Sequence, residues 1–135
     1  MKSSIFCIFL VTSLAACLFL VKNQSSSKMT PYAVCYVTAP DETIAKKLSH
    51  EIITKQLAAC VNIVPQITSV YAWEGKINED AEVMLVIKTK KSRVDDLSEF
   101  IRANHPYSVA EVISMPIENG NPPYLDWIGK TVPEK

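Results

Sequence analysis

From Tyr32 onward the apolar and polar positions run in two alternating periods. Tyr32-Ala33-Val34-Cys35-Tyr36-Val37-Thr38 is an unbroken β-favouring run, as expected of a buried central strand. Ala39-Pro40-Asp41 breaks it, and the Asp41 carboxylate is placed to accept from the first free amides of a helix. Ile44, Leu48 and Ile52 then recur at helical spacing, with Ala45 and Ile53 widening the stripe and Lys46, Lys47, Glu51 and Lys55 opposite, which predicts a helix over 42–56. Residues 61–73 read as a long strand with Ile67, Ser69, Tyr71 and Trp73 on one face and Gln66, Thr68, Val70 and Ala72 on the other. Pro65 has no amide proton for a ladder, so it belongs at a bulge or an edge. Glu74-Gly75-Lys76 predicts a turn, after which 80–89 returns with Ala81, Val83, Leu85 and Ile87 alternating against Glu82, Met84, Val86 and Lys88. Met84 and Val86 make this strand apolar on both faces. The hairpin is longer than the domain's own core needs, so its outer part is expected to pair with something.

The second half repeats the scheme. Ser92 with Asp95 resembles a capping box, and Val94, Leu97, Phe100 and Ile101 predict an amphipathic helix that stops at His105-Pro106, because a residue before proline avoids the α region. A strand over 109–117 follows, with Val109, Glu111, Ile113 and Met115 on one side. After the Asn119-Gly120-Asn121 turn, Pro122-Pro123 opens a last helix with Asn121 as its cap and Tyr124, Leu125 and Ile128 docking it. The order β-α-β-β-α-β plus a terminal helix predicts an α+β, ferredoxin-like sandwich, one antiparallel sheet with two helices on one face. The other face is then bare, carrying Val34 or Cys35, Val70 and Met84. A bare apolar face and a long hairpin together predict an oligomer.

Residues 1–28 differ in kind. Ile5 to Val21 is an almost wholly apolar run of 17 residues, interrupted only by Thr12 and Ser13, after Lys2 and before a polar linker ending at Lys28. It reads as a cleaved secretory signal, as a membrane anchor at the short end of the spanning range, or, through Leu14-Ala15-Ala16-Cys17, as a lipoprotein signal; a start at Met29 would remove it altogether. The protein is accordingly expected to be membrane-associated or secretory, or cytoplasmic if translation begins at Met29. The remainder, 29–135, holds the folded domain.

Composition narrows the chemistry. The whole chain balances 14 basic against 14 acidic residues, but three of the lysines lie in the leader, so the domain is slightly acidic. Its one basic run, Lys88-Thr89-Lys90-Lys91-Ser92-Arg93, reads as a solvated strand end and not as a nucleic-acid footprint. Three glycines in 135 residues exclude a phosphate-binding P-loop and a dinucleotide fingerprint. With two histidines, His50 and His105, and no nucleophile–base pair at a recognisable spacing, binding is expected in place of catalysis. Cys7 and Cys17 fall in the leader. Cys35 and Cys60 read as buried thiols, or as a disulfide pair in a secreted domain. His105 reads either as a metal ligand or as a cap at a helix end. Glu111, a carboxylate in an apolar stretch, is either an outward edge residue or a functional one. A ligand pocket is expected between subunits near Lys88, His105, Tyr107 and Glu111.

Thr38-Ala39-Pro40-Asp41, Leu57-Ala58-Ala59-Cys60-Val61-Asn62, Tyr71-Ala72-Trp73-Glu74-Gly75-Lys76, His105-Pro106-Tyr107 and Tyr124-Leu125-Asp126-Trp127 occur in an order and spacing that resemble the CutA proteins, over roughly Tyr32 to Ile128. The resemblance implies a tight homotrimer, similar in outline to PII-type signalling proteins, with Tyr71, Trp73 and Trp127 at the subunit interface. It also implies divalent-cation tolerance with copper as the usual ligand and, for animal members, anchoring or processing of acetylcholinesterase at membranes. The family's copper site uses a cysteine near the end of the first strand and two adjacent histidines before Pro-Tyr. Here those positions are Val37, Asn104 and His105, so only His105 remains, with Cys35 as a displaced thiolate. One imidazole and one displaced thiolate form a poor transition-metal site. A small-ligand sensor in the PII manner, using clefts between subunits, is the alternative.

Overall fold

A computed structural model describes residues 29–135; the leader at 1–28, with its signal, anchor and alternative-start readings, lies outside the described residues. Strand β1 (Tyr32–Ala39) leads to helix α1 (Glu42–Thr54), then to the hairpin strands β2 (Cys60–Trp73) and β3 (Lys76–Lys90). A 3-10 turn (Lys91–Arg93), helix α2 (Val94–Asn104), a short strand β4 (Ile113–Pro116) and helix α3 (Pro122–Thr131) complete the chain. The four strands form one antiparallel sheet in the order β2-β3-β1-β4.

The period-2 pattern sorts the sheet into two unlike faces. Cys35, Val37 and Ala39 of β1 and Val83, Leu85 and Ile87 of β3 pack with Ala45, Leu48 and Ile52 of α1 and Leu97 and Ile101 of α2 in one core. On the opposite face, Val34, Tyr36 and Thr38 stand beside Lys88, Val86 and Met84, with Met115 and Ile113 of β4 continuing two of these rows. None of the helices in the main core covers that second face, and Val64, Ile113 and Met115 on it are exposed. Cys35 therefore does not belong to the bare face; Val34 does, and the thiol points into the core. Val70 also lies on the other side, paired with Glu79 on the projecting hairpin.

Local chemistry explains most element ends. Asp41 accepts a 2.8 Å bond from the Ile44 amide and caps α1. Glu74 and Gly75 have φ of 49° and 76°, the paired positive angles of a type I′ turn, whose twist matches that of the two strands it joins. The Ser92 capping box does not form: Arg93 is the N-cap of α2 without a side-chain bond, and the Ser92 hydroxyl reaches Glu134 instead, at 3.0 Å. Likewise Asn121 caps α3 by position only. The strand expected over 109–117 shrinks to Ile113–Pro116, because the chain before it leaves the sheet.

Helix α3 closes the end of the sheet through a satellite cluster of Ala59, Ile128 and Val132, against which Tyr32 and Leu125 pack. Gly129 lets α3 come this close. A Cβ there would stand 2.5 Å from the Tyr32 hydroxyl oxygen but 3.5 Å from the nearest ring carbon. Gly129→Ala is therefore expected to destabilise the domain by about 1–3 kcal/mol through overpacking. Adding Tyr32→Phe, which deletes only the clashing oxygen, should restore most of the loss in a urea denaturation series.

Candidate functional site

The bulge between Val64 and Ile67 prepares the site. Val64 pairs with Met84 and Ile67 with Glu82, so β2 spends one more residue than β3 over this stretch. Pro65 sits in the bulge, as its missing amide requires, and Gln66 takes a positive φ of 63°. The extra residue keeps the odd-numbered Ser69, Tyr71 and Trp73 on the face that the even-numbered Val64 occupies. Glu82 and Asp80 share that face from β3.

The segment after α2 folds over this face and closes a cleft of about 530 Å³. Tyr71 and Trp73 line it from the hairpin, Glu82 and Thr38 from the sheet, and Tyr107 and Glu111 from the covering segment. His105 holds that segment down. Its buried ring donates from Nε2 to the Thr38 carbonyl at 2.8 Å, while Nδ1 accepts the Tyr107 amide at 3.1 Å. Those two bonds define the Nε2–H tautomer. The Tyr107 ring also meets the imidazole at 4.9 Å and 62°.

The cleft is acidic and aromatic. Glu82 is only 7 % exposed, and none of the ion pairs among the described residues involves Glu82, Glu111 or Asp80. Burying a carboxylate without a cation is costly, and here the Tyr107 hydroxyl offsets part of that cost by hydrogen bonding to Glu82. Its effect is visible on its neighbours. Burial, and next the adjacent Glu82 carboxylate, push the Tyr107 phenol up to about 12. The Tyr71 hydroxyl donates to Asp80 at 2.6 Å, and that bond raises its pKa as well. Both phenols thus stay protonated donors.

Of the residues singled out from sequence, Tyr107 and Glu111 come together here with Tyr71 and Trp73. His105 braces the cleft from behind. Lys88 does not join them: it lies six residues along β3 from Glu82, roughly 20 Å at strand rise, and donates to the Asn62 side chain and to the Val86 carbonyl. Trp127 is elsewhere too, tilted against Tyr124 on α3 at 5.3 Å. The copper donors do not converge. Cys35 is wholly buried, desolvation pushes its thiol up to about 11, and both His105 nitrogens are already engaged. Among the described residues no three His, Cys, Asp or Glu side chains gather as a metal site, so a copper ion does not fit at these two residues. Cys35 and Cys60 are both free thiols. Glu82, Thr38 and Ser69 are the members that sequence reasoning missed. The available signal was a carboxylate in line with the apolar Met84 and Val86 on one face of the strand.

A family profile described as "CutA1 divalent ion tolerance protein" matches residues 33–131. The chain is similar to the Protein CutA homolog of Xenopus laevis, 56 % identical over 102 residues that cover 76 % of this chain and 68 % of the frog protein. It is 51 % identical to human Protein CutA over 108 residues, 78 % of this chain and 60 % of the human one, so it spans under two thirds of that relative's length. Among solved structures, that of CutA1 from Oryza sativa superposes with a TM-score of 0.77 at 50 % identity, covering 82 % of this chain and all of the rice chain.

The electrostatics of the cleft are open to direct titration. Because the folded pKa of Tyr107, about 12, lies above that of an unfolded tyrosine near 10, the unfolded chain loses this proton first as pH rises. The contribution of the group to stability is therefore full below about pH 10 and is lost between about 10 and 12. The ¹³Cζ resonance of Tyr107 should titrate near the upper end of that window, and Glu82→Gln should move its midpoint downward.

Proposed function

This chain belongs to the CutA1 divalent ion tolerance family, and from that premise we propose that it works as a non-catalytic, homotrimeric binding protein whose clefts take up a cationic ligand. The observation that carries the binding reading is the Glu82 carboxylate, buried at the cleft with no cationic partner among the described residues. A ligand cation supplies the charge that the fold leaves unmatched. On this reading ion response belongs to the cleft formed by Glu82, Glu111 and Tyr107 and not to the Cys35–His105 pair, which supports a sensor-like use of the cleft in preference to a copper site.

The trimer reading rests on the sheet. The order β2-β3-β1-β4, with both core helices on one side, supports a ferredoxin-like layout that leaves the Val34, Val86, Ile113 and Met115 face to be covered. Covering such a face with second and third copies removes apolar area from water at roughly 25 cal/mol per Å². The hairpin beyond the helices adds to the demand, since Ile77 near its tip is 76 % exposed.

Size-exclusion chromatography with light scattering on the full-length protein should give three times the 15.0 kDa chain mass, and Val86→Glu should shift it toward single chains. A folded single chain for the unmodified protein would overturn the trimer. In parallel, calorimetric titration with a panel of inorganic and organic cations should show uptake that Glu82→Gln weakens about tenfold or more. Unchanged affinity in that variant would remove the cleft from the reading.

A further inference from the structure

We infer that Asn119 is a site of spontaneous deamidation, and that its isoaspartyl product loosens helix α3 from the sheet. The turn before α3 carries this chemistry, and nothing in it depends on how the cleft is used.

Asn119 is followed by Gly120, and a glycine leaves its amide nitrogen least shielded because it has no Cβ. The fold sets the two reacting groups against each other. The Gly120 amide donates to Asn119 Oδ1 at 2.8 Å, so its nitrogen lies beside the Cγ that carries this oxygen. Both residues are exposed to water. The contact is made between adjacent residues within the turn, so it does not depend on leaving any sheet face uncovered. The turn lies beyond the end of β4, not on the Val34, Val86, Ile113 and Met115 face: β4 pairs as far as Pro116, and the Ile117 amide then binds the Tyr32 carbonyl at the end of the sheet where α3 docks.

The other asparagines among the described residues each lack one of these conditions. Asn121 precedes Pro122, whose nitrogen has no proton to lose. Asn104 ends α2 with its Nδ2 donating to the Phe100 carbonyl, and the next amide, that of His105, is committed to the Ile101 carbonyl. Asn62 and Asn78 sit in the β2–β3 ladder, which holds the backbone extended, and the side chains of Ile63 and Glu79 shield the nitrogens that follow them. Asn62 also gives its Oδ1 to Lys88.

Water is the one reagent the reaction consumes. Hydroxide or water takes the Gly120 amide proton as the nitrogen attacks Asn119 Cγ. The N–Cγ bond forms, the Cγ–Nδ2 bond breaks, and Nδ2 leaves as ammonia with a proton from water. Water then opens the resulting succinimide at either carbonyl. Opening at Cγ gives ordinary aspartate. Opening at the backbone carbonyl carbon gives isoaspartate, in which the main chain runs through Cγ. Nothing is oxidised or reduced.

The two products act differently on α3. Aspartate adds a carboxylate near a helix N-terminus whose first turn holds no acidic residue and whose Asn121 makes no side-chain cap, so it is well tolerated. Isoaspartate lengthens the main chain by one carbon directly before Gly120, where space is tight. A Cβ on Gly120 would stand 3.2 Å from Leu125 Cδ2. Leu125 in turn packs against the Ala59, Ile128 and Val132 cluster that holds α3 to the sheet. The extra carbon therefore strains the contact that docks the helix.

The test ages the full-length, assembled protein at neutral and at mildly alkaline pH. Mass spectrometry with electron-transfer fragmentation distinguishes asparagine, aspartate and isoaspartate site by site. Asn119 should lose its amide with time, faster at the higher pH, while Asn62, Asn78, Asn104 and Asn121 keep theirs. Gly120→Ala should slow the loss several-fold, and Asn119→Gln should abolish it, because the longer side chain would have to close a larger ring. Hydrogen exchange then compares the aged protein, enriched in isoaspartate, with freshly prepared Asn119→Asp. Amides from Leu125 to Val132 should exchange faster in the aged protein and at the unmodified rate in Asn119→Asp. If Asn119 persists in the aged assembly, or is lost no faster than the other asparagines, the site is overturned. Loss that Gly120→Ala leaves unchanged also overturns it, since the amide would then be hydrolysed directly. Equal α3 protection in aged and fresh protein overturns the loosening.

Discussion

Side chains along a β-strand alternate between its faces, so one added residue reverses the assignment of everything that follows it. The bulge at Val64–Ile67 is such an addition. Without it, Tyr71 and Trp73 would turn to the side of the sheet on which the helices pack, and Val70 and Ala72 would face Glu82. With it, two large aromatic side chains project over the same face as the buried carboxylate. Pro65 and the positive φ of Gln66 fix the irregularity in the backbone, so the composition of the cleft follows from a local feature of one strand.

The second constraint is that two amphipathic helices cover one face of a four-stranded sheet and leave the other. The core on the helix side is apolar, with Leu85, Ile87, Leu97 and Ile101 fully buried. The open side mixes Val34, Val86 and Ile113 with Asn62, Lys88 and Thr38. A surface of that mixed kind suits an assembly interface with a polar rim better than a solvated face. Cleft and open face are continuous, since Thr38 and Glu82 belong to both.

Much of this was legible from periodicity. The Ile44-Leu48-Ile52 stripe and Asp41 located α1 to within two residues, and the proline at the bulge was readable from its missing donor. What sequence misplaced has specific causes. Residues with both faces apolar, such as Val34 and Cys35, carry no alternation to say which points inward. Lys88 was expected at a cleft between subunits; within one chain it is far along β3 from Glu82 and tied to Asn62. Val109 and Glu111 alternate like a strand, yet His105 and Pro106 steer that segment over the cleft, and β4 pairs only from Ile113. Ser92 had the right neighbour for a capping box but found the distant Glu134, a contact no local pattern encodes. Glu82 was overlooked because a polar residue in an alternating strand normally faces water.

The two free cysteines of the domain differ in a way that matters for handling the protein under oxidising conditions. With its thiol at about 11 and no exposed surface, Cys35 holds on the order of one thiolate in ten thousand molecules at neutral pH, and peroxide or an alkylating reagent has no route to it. Cys60, at the start of β2, is only half-buried and so is partly open to reagents. Within the folded domain, a maleimide dye or spin label will therefore mark Cys60, near Tyr124 and α3, in preference to Cys35. That contrast makes Cys60 the domain's own handle for measuring distances between copies, once Cys7 and Cys17 of the leader are replaced.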